Sequence, residues 1–125
     1  PREELQLAEL TALELLLLLC IKKLGDKELP PPHTLKMAQR GYMVFLTSAD
    51  DHRKYDYPNP LLVASFEHLT SLGLVVAQRE GRHKSFPTEQ LPLRLGIDAQ
   101  SVYDYLKTHT ELPLAIQRFG LTATL

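Results

Sequence analysis

Residues 15–21 form a wholly apolar run of seven residues between Glu14 and Lys22. A membrane-spanning helix needs about 20 apolar residues, so this run is too short to cross a bilayer. A secretory signal peptide begins with basic residues, whereas this end of the chain is acidic. The run therefore predicts a helix that is buried on nearly all sides and around which the other elements pack.

Signals at both ends set the limits of this first helix. Thr11 and Glu14 have the spacing of a capping box, in which each side chain binds a backbone N–H of the first turn. Lys22 and Lys23 lie where a helix C-terminus favours cations, and Gly25 is expected to end the helix.

The acidic N-terminal stretch, residues 1–10, has a weaker helical pattern. We expect it to be a linker or an extension of the first helix, with the domain itself spanning residues 11–125. Because the chain begins at Pro1 rather than Met, we expect it to be part of a longer protein.

Two further helices are predicted between residues 34 and 73. Thr34 is expected to cap a helix over residues 35–46. Asn59 is expected to cap a third helix that ends at Gly73, with a proline in its first turn, where a missing N–H has no cost.

After Gly73 the periodicity changes from helical to extended. Residues 74–78 are apolar and partly β-branched, Gly81 is a turn residue, and residues 85–88 are expected to return as the partner strand. Pro87 would place that strand at a sheet edge. The pattern predicts a β-hairpin with a basic tip.

Two trailing helices complete the chain. Asp98 is expected to cap a helix that runs to Lys107, and Thr110 to cap a shorter helix over residues 111–119 that Gly120 ends. Three helices followed by a hairpin is the order of a winged helix-turn-helix. The predicted fold is therefore α+β: a winged helix-turn-helix with a β-hairpin wing and two additional C-terminal helices.

The charge balance limits which functions are possible. Lys and Arg total 14 and Asp and Glu total 15, which gives a formal charge of −1. This excludes a domain that grips nucleic acid through bulk charge, so any such contact must come from local patches. The single cysteine, Cys20, lies in the apolar run, which predicts an inert core thiol.

Residues 55–76 carry a family resemblance. They begin with an aromatic pair, Tyr55 and Tyr57, and Pro60 precedes an apolar helix. This helix contains the sequence Ser65-Phe66-Glu67-His68-Leu69 and is followed by a short extended run. The first helix adds Leu13-Glu14-Leu15 and, after an apolar turn, Ile21-Lys22-Lys23-Leu24. In these blocks the chain resembles origin recognition complex subunit 4, and the resemblance extends over roughly residues 11–119.

The resemblance implies that the chain is the C-terminal winged-helix domain of such a subunit. In that family the complex marks replication origins and helps to load the replicative helicase onto duplex DNA in the nucleus. The implied partners are double-stranded DNA, held weakly through its backbone, and the other subunits of the complex. The family's ATP-binding module would lie outside these residues, and no phosphate-binding glycine loop occurs here.

The third helix is a poor base-reading element, because Glu67 is its only formally charged residue. Bidentate contacts from arginine to guanine are therefore not available to it. His68 is most simply a hydrogen-bonded structural histidine, and the helix as a whole is expected mainly to pack.

Cations elsewhere are the candidate nucleic-acid-binding residues. They lie on the second helix, in the loop before the third helix and around the hairpin tip, and they are Lys36, Arg40, Arg53, Lys54, Arg79, Arg82, His83 and Lys84. The alternatives are a solvated turn at the tip and, because the loop over residues 50–56 holds three Asp, a self-paired or protein-facing loop.

No catalytic or metal-binding pattern accompanies these patches. The five histidines are scattered without ligand spacing, and no nucleophile elbow is present. We therefore predict a non-enzymatic domain with no metal, no cofactor, no small-molecule substrate and no membrane association. The alternative is a protein-interaction module of winged-helix type with negligible DNA binding.

Overall fold

The computed structural model describes residues 2–27, 29–48, 52–81 and 85–122. Within these residues the chain forms six α-helices and a three-stranded antiparallel sheet. Four helices precede the two longer strands, the last three of them in the order of a winged helix, and two helices follow the strands. The predicted α+β winged-helix fold with two additional C-terminal helices is confirmed.

Helix α2 (Ala12–Asp26) forms the centre of the core. Its residues 13–24 are all buried, and four consecutive leucines, residues 16–19, are 0% exposed. The Thr11 side chain accepts from the backbone N–H of Glu14 at 3.1 Å, and the Glu14 carboxylate accepts from that of Thr11 at 2.9 Å. The predicted capping box and all-round burial are confirmed. Gly25 does not end the helix, which continues to Asp26 with a right-handed C-cap at Lys27.

Helices α3 (Leu35–Ser48) and α4 (Asn59–Ser71) both pack against α2. Thr34 caps α3 as predicted, because its hydroxyl accepts from the backbone N–H of Met37 at 3.3 Å. The predicted cap at Asn59 is wrong. Pro58 occupies the N-cap position of α4, and the Asn59 side chain instead accepts from the Gln39 amide at 2.8 Å, which ties α3 to α4.

The sheet contains strands β1 (His33–Thr34), β2 (Val75–Ala77) and β3 (Pro92–Leu95) in the order β1-β3-β2. The predicted partner strand over residues 85–88 is wrong: β2 pairs with β3, with Val75 opposite Leu95 and Ala77 opposite Leu93. A 3₁₀ turn, Thr88–Gln90, begins after Pro87 instead. We call residues 78–91, which connect the two strands, the wing.

Two glycines allow the chain to turn tightly between α4 and the sheet. Gly73 follows α4 with a φ of 77°, a left-handed conformation that lets the chain leave the helix for β2. A Cβ on Gly96 would clash with the Gly73 carbonyl oxygen, and the Gly96 N–H donates to Leu74 at 2.8 Å. The base of the wing is therefore fixed by close backbone contact.

Helix α5 (Ala99–Thr108) begins at Asp98, whose side chain accepts from the Gln100 N–H at 3.1 Å, so this predicted cap is confirmed. The predicted start of the last helix at Thr110 is wrong, because α6 (Leu114–Leu121) begins after an N-cap at Pro113. Gly120 does not end this helix. It is buried within it, and an added Cβ would clash with Leu106.

Helix α6 is joined to α2 through a buried ammonium group. The Lys23 Nζ donates to the Thr122 carbonyl at 2.6 Å and lies 4.7 Å from the centroid of the Phe119 ring. Burial lowers the pKa of Lys23. The carbonyl at the end of α6 is thus satisfied by a cation, where the helix dipole favours one.

Residues 2–8 form a helix of their own, α1 (Arg2–Ala8). Leu7 is buried, and the Gln6 side-chain amide donates to the Leu72 carbonyl at 3.3 Å. The Glu4 carboxylate lies 3.3 Å from Nε2 of His109, at the end of α5. This helix packs against α5, and the domain boundary at residue 11 stays a prediction.

Candidate nucleic-acid interface

Helix α4 stands where a winged helix presents its recognition element. It buries Leu62, Phe66 and Leu69 against the core. Two hydroxyls near its end bind their own helix: Thr70 donates to the Glu67 carbonyl and Ser71 to the His68 carbonyl, each at 2.7 Å. The exposed surface of α4 therefore offers DNA no cation and few uncommitted polar groups.

His68 anchors α4 to the start of α2. Its Nδ1 contacts Oε2 of Glu14, whose other oxygen belongs to the capping box. The Glu14 side chain is 8% exposed, whereas that of His68 is 50% exposed. The prediction of a hydrogen-bonded structural histidine is confirmed.

The contact between His68 and Glu14 depends on pH, because the Glu14 carboxyl group titrates. Burial raises its pKa, but the hydrogen bond from the Thr11 backbone and the contact with His68 outweigh burial, so that the pKa of Glu14 lies below its usual value. A depressed folded-state pKa stabilises the protein above the unfolded-state value of about 4.3. That stabilisation is lost as the pH falls through the folded-state pKa.

Glu14→Gln is expected to lower the free energy of unfolding at pH 7 by about 1–2 kcal/mol, since the amide keeps the cap and loses the charge-assisted bond to His68. Below about pH 5 the difference in the free energy of unfolding between the two proteins should narrow. Protonation of Glu14 then weakens the bond to His68 in the wild type, whereas the variant has no carboxylate at this position. Urea unfolding from pH 7 to pH 3 measures both effects. Glu111→Gln, at an exposed site, is the control. A gap independent of pH would contradict the account.

The base of the wing is held against α4 by an ion pair. Nη2 of Arg79 donates to Oε1 of Glu67 at 2.6 Å and to the Thr88 hydroxyl at 3.4 Å. Arg79, predicted as a nucleic-acid-binding residue, thus has a partner within the chain. The other predicted residues of the wing, Arg82, His83 and Lys84, lie outside the described residues.

Helix α3 exposes two basic residues on one face. Lys36 and Arg40 are both exposed one turn apart, and neither forms an ion pair with any part of the chain that the structure describes. No acidic residue occurs on the helix. The same outer face continues into exposed Met43 and Val44. Among the described residues, therefore, no acidic side chain neutralises Lys36 or Arg40.

The remaining two predicted cations, Arg53 and Lys54, lie in a 3₁₀ turn, His52–Tyr55, and are both exposed. The turn is tied to α3, because the Tyr42 hydroxyl donates to the Tyr55 carbonyl and accepts from the Tyr57 N–H. Burial raises the pKa of Tyr42, which keeps its hydroxyl neutral and able to fill both roles. Nζ of Lys54 lies 6.0 Å from the centroid of the Tyr55 ring.

Helix α3 is the element that brings the patches together. It contacts the turn His52–Tyr55 and also the turn Thr88–Gln90 at the base of the wing. Arg79, in turn, connects that base to α4. The elements that carry the described candidate cations are therefore neighbours, connected through α3 and α4.

Comparison with known proteins identifies the family to which this domain belongs. The sequence model of the family described as the origin recognition complex (ORC) subunit 4 C-terminus matches residues 3–111. The chain belongs to this family. The resemblance noted in the sequence is thereby confirmed.

The matched region runs from α1 through α5 and contains every candidate cation. A curated relative, "Origin of replication complex subunit 4" of Oryza sativa subsp. japonica, is 27% identical over 114 residues, which are 90% of this chain and 23% of the relative. The chain therefore spans about a quarter of the length of this ORC subunit 4 relative.

The predicted set of cations leaves out Arg94, an exposed residue of the sheet in this ORC subunit 4 domain. Arg94 is exposed on β3, opposite Val76, on the outer face of the sheet, and its Nη1 donates to the Leu95 carbonyl at 3.4 Å. The signal was the alternation of Leu91, Leu93 and Leu95, which marks a strand of period two with Arg94 facing outward.

The described residues contain neither a group of three or more side chains able to hold a metal ion nor a helix long and apolar enough to span a bilayer. Cys20 is 1% exposed in α2, and burial raises the pKa of its thiol to about 12. A thiol with that pKa is almost entirely protonated at neutral pH and is a poor nucleophile. The exposed cations described above are therefore the candidate functional site.

Proposed function

We propose that this ORC subunit 4 domain makes sequence-tolerant contacts with the backbone of duplex DNA during replication initiation, and that it docks onto other subunits of the origin recognition complex. Its share of origin licensing and helicase loading is non-catalytic and takes place in the nucleus. The observation that carries the proposal is the exposed pair Lys36 and Arg40 on α3, beside a wing whose tip is basic in sequence.

Backbone contact follows from where the cations lie. Base recognition would need donors or acceptors on α4, which has no Lys or Arg and whose Thr70 and Ser71 hydroxyls bind their own helix. Cations on α3 and the wing suit phosphate oxygens, whose spacing is independent of sequence. About four such contacts would give a salt slope of about −3 to −4.

Binding of this kind is weak for one domain and sufficient within an assembly. With a formal charge of −1, the domain has no bulk attraction for DNA. Tethering beside other DNA-binding subunits raises the effective concentration of the patch near DNA, so modest contacts add to the affinity of the whole complex. Docking to those subunits is thus part of the same function.

A second candidate function, docking to protein with negligible DNA contact, is favoured by a groove between α2 and α4. Leu13, Tyr57, Leu61 and Ala64 contribute to its mostly apolar lining, and Leu61 is 46% exposed. Apolar patches of this kind are common at protein interfaces. The two functions differ in whether the surface formed by α3 and the wing responds to DNA.

Backbone amide shifts of the ¹⁵N-labelled chain, titrated with a short duplex at about 50 mM salt, separate the two functions. The proposal predicts shift changes at Lys36, Arg40 and the wing, with similar changes for a duplex of unrelated sequence. The groove residues Leu61 and Ala64 should stay unchanged. An absence of changes at a duplex concentration of about 1 mM would contradict DNA contact and favour the docking function.

A further inference from the structure

Glu67 places a carboxylate beside the proposed DNA-binding surface. It is the only Asp, Glu, Lys or Arg on α4, and its side chain is 46% exposed. An uncompensated carboxylate there repels phosphate. The only cation that the described structure shows within ion-pair distance of it is Arg79 of the wing, at 2.6 Å.

The same donors of Arg79 would serve a DNA phosphate. A guanidinium presents a planar set of N–H donors that fits carboxylate and phosphate oxygens equally well. Arg79 is 48% exposed, so a phosphate can approach it from solvent. Glu67 therefore occupies donors of Arg79 that a phosphate would otherwise take.

We infer that Glu67 is an internal competitor for the phosphate contact of Arg79 and thereby limits the affinity of the domain for DNA. The inference rests on the proposed function. Exposed ion pairs are weak, so a phosphate at high local concentration displaces Glu67, and a phosphate at low concentration does not. The pair thus favours engagement of DNA that is already held by the assembly over capture of free DNA by this domain.

The test is Glu67→Gln, which keeps the shape and helix-forming tendency of the side chain and removes its charge. Duplex affinity at about 50 mM salt should rise by about three- to tenfold, as repulsion falls and Arg79 gains a phosphate. One added phosphate contact steepens the salt slope by about 0.9. The loss of affinity between 50 and 200 mM salt should therefore grow by about 3.5-fold.

Two controls isolate the role of Arg79. Glu80→Gln removes an equal charge from an exposed wing position that has no ion pair among the described residues, and it should raise affinity by less than about twofold. In an Arg79→Gln background, Glu67→Gln should raise affinity only through the loss of repulsion, by clearly less than it does in the wild type, and should leave the salt slope unaltered, because no Arg79 is present to gain a phosphate.

The outcomes separate this inference from the proposed function. A wild type that binds DNA while Glu67→Gln binds equally overturns the competitor role and leaves the proposed function standing. Weaker binding by Glu67→Gln also overturns the competitor role, and it assigns the ion pair to positioning of the wing. Failure of both proteins to bind duplex at about 50 mM salt overturns the proposed function and the inference with it.

Discussion

Phe66→Ala is expected to lower the free energy of unfolding by about 3–5 kcal/mol, a large part of the stability of a domain of this size. Phe66 is 0% exposed and lies on the face of α4 that packs against the core. Its removal leaves a cavity in the core between α4 and α2, whose residues 13–24 are all buried, and a closely packed core fills such a cavity only in part. Urea unfolding followed by circular dichroism measures the loss.

Leu61→Ala is the matched control, since it also truncates an apolar side chain on α4, at a position that is 46% exposed. Its cost should stay below about 1 kcal/mol. Equal costs for the two variants would mean that α4 does not pack as described. The comparison also shows whether residues 65–69 of α4 act through the core.

Replacing Lys36, Arg40, Arg82 and Lys84 together by alanine should lower duplex affinity at about 50 mM salt by at least a hundredfold, because each removes one cation proposed to neutralise a phosphate. Fluorescence anisotropy with a labelled duplex measures this loss. Circular dichroism should show an unchanged fold, since Lys36 and Arg40 are exposed and form no ion pair among the described residues.

The control for that variant removes the same charge elsewhere. Arg2, Lys27, Lys107 and Arg118 are exposed and lie on α1, just after α2, on α5 and on α6. Their joint replacement by alanine should lower affinity by less than about fivefold, through net charge alone. A similar loss in both variants would place the effect in overall charge and contradict a defined contact surface.

Features encoded by short-range patterns were predictable from the sequence. The apolar run over residues 15–21 and the capping box of Thr11 and Glu14 specify α2 without reference to the rest of the chain. Similar local signals predicted helices α3 to α6 and strand β2, but they misplaced the second strand of the hairpin, which is β3 rather than residues 85–88. These features were sufficient for the winged-helix fold.

Features that depend on a distant partner were not predictable. Asn59 was expected to cap its own helix, yet its side chain binds Gln39 of α3. The short strand β1 forms through pairing with β3, and its two residues carry no strand pattern of their own. The sequence predicts a helix end at Gly120, whereas this residue lies within α6 and allows close packing against Leu106.

The candidate site follows the same division. The exposure of Lys36 and Arg40 was predictable from helix periodicity, because the opposite face of α3 is apolar. The engagement of Arg79 by Glu67 was not, since it joins residues from two elements. This contact changes the role of Arg79 from an open cation to one that already has an anion.

The slope of log affinity against log salt tests the backbone contact most directly. For the wild type, titrations of one duplex between about 50 and 200 mM salt should give a slope of about −3 to −4. For the variant that lacks Lys36, Arg40, Arg82 and Lys84, the slope should approach zero. Equal slopes for the two proteins would show that these four cations meet no phosphate, and the proposed contact would be wrong.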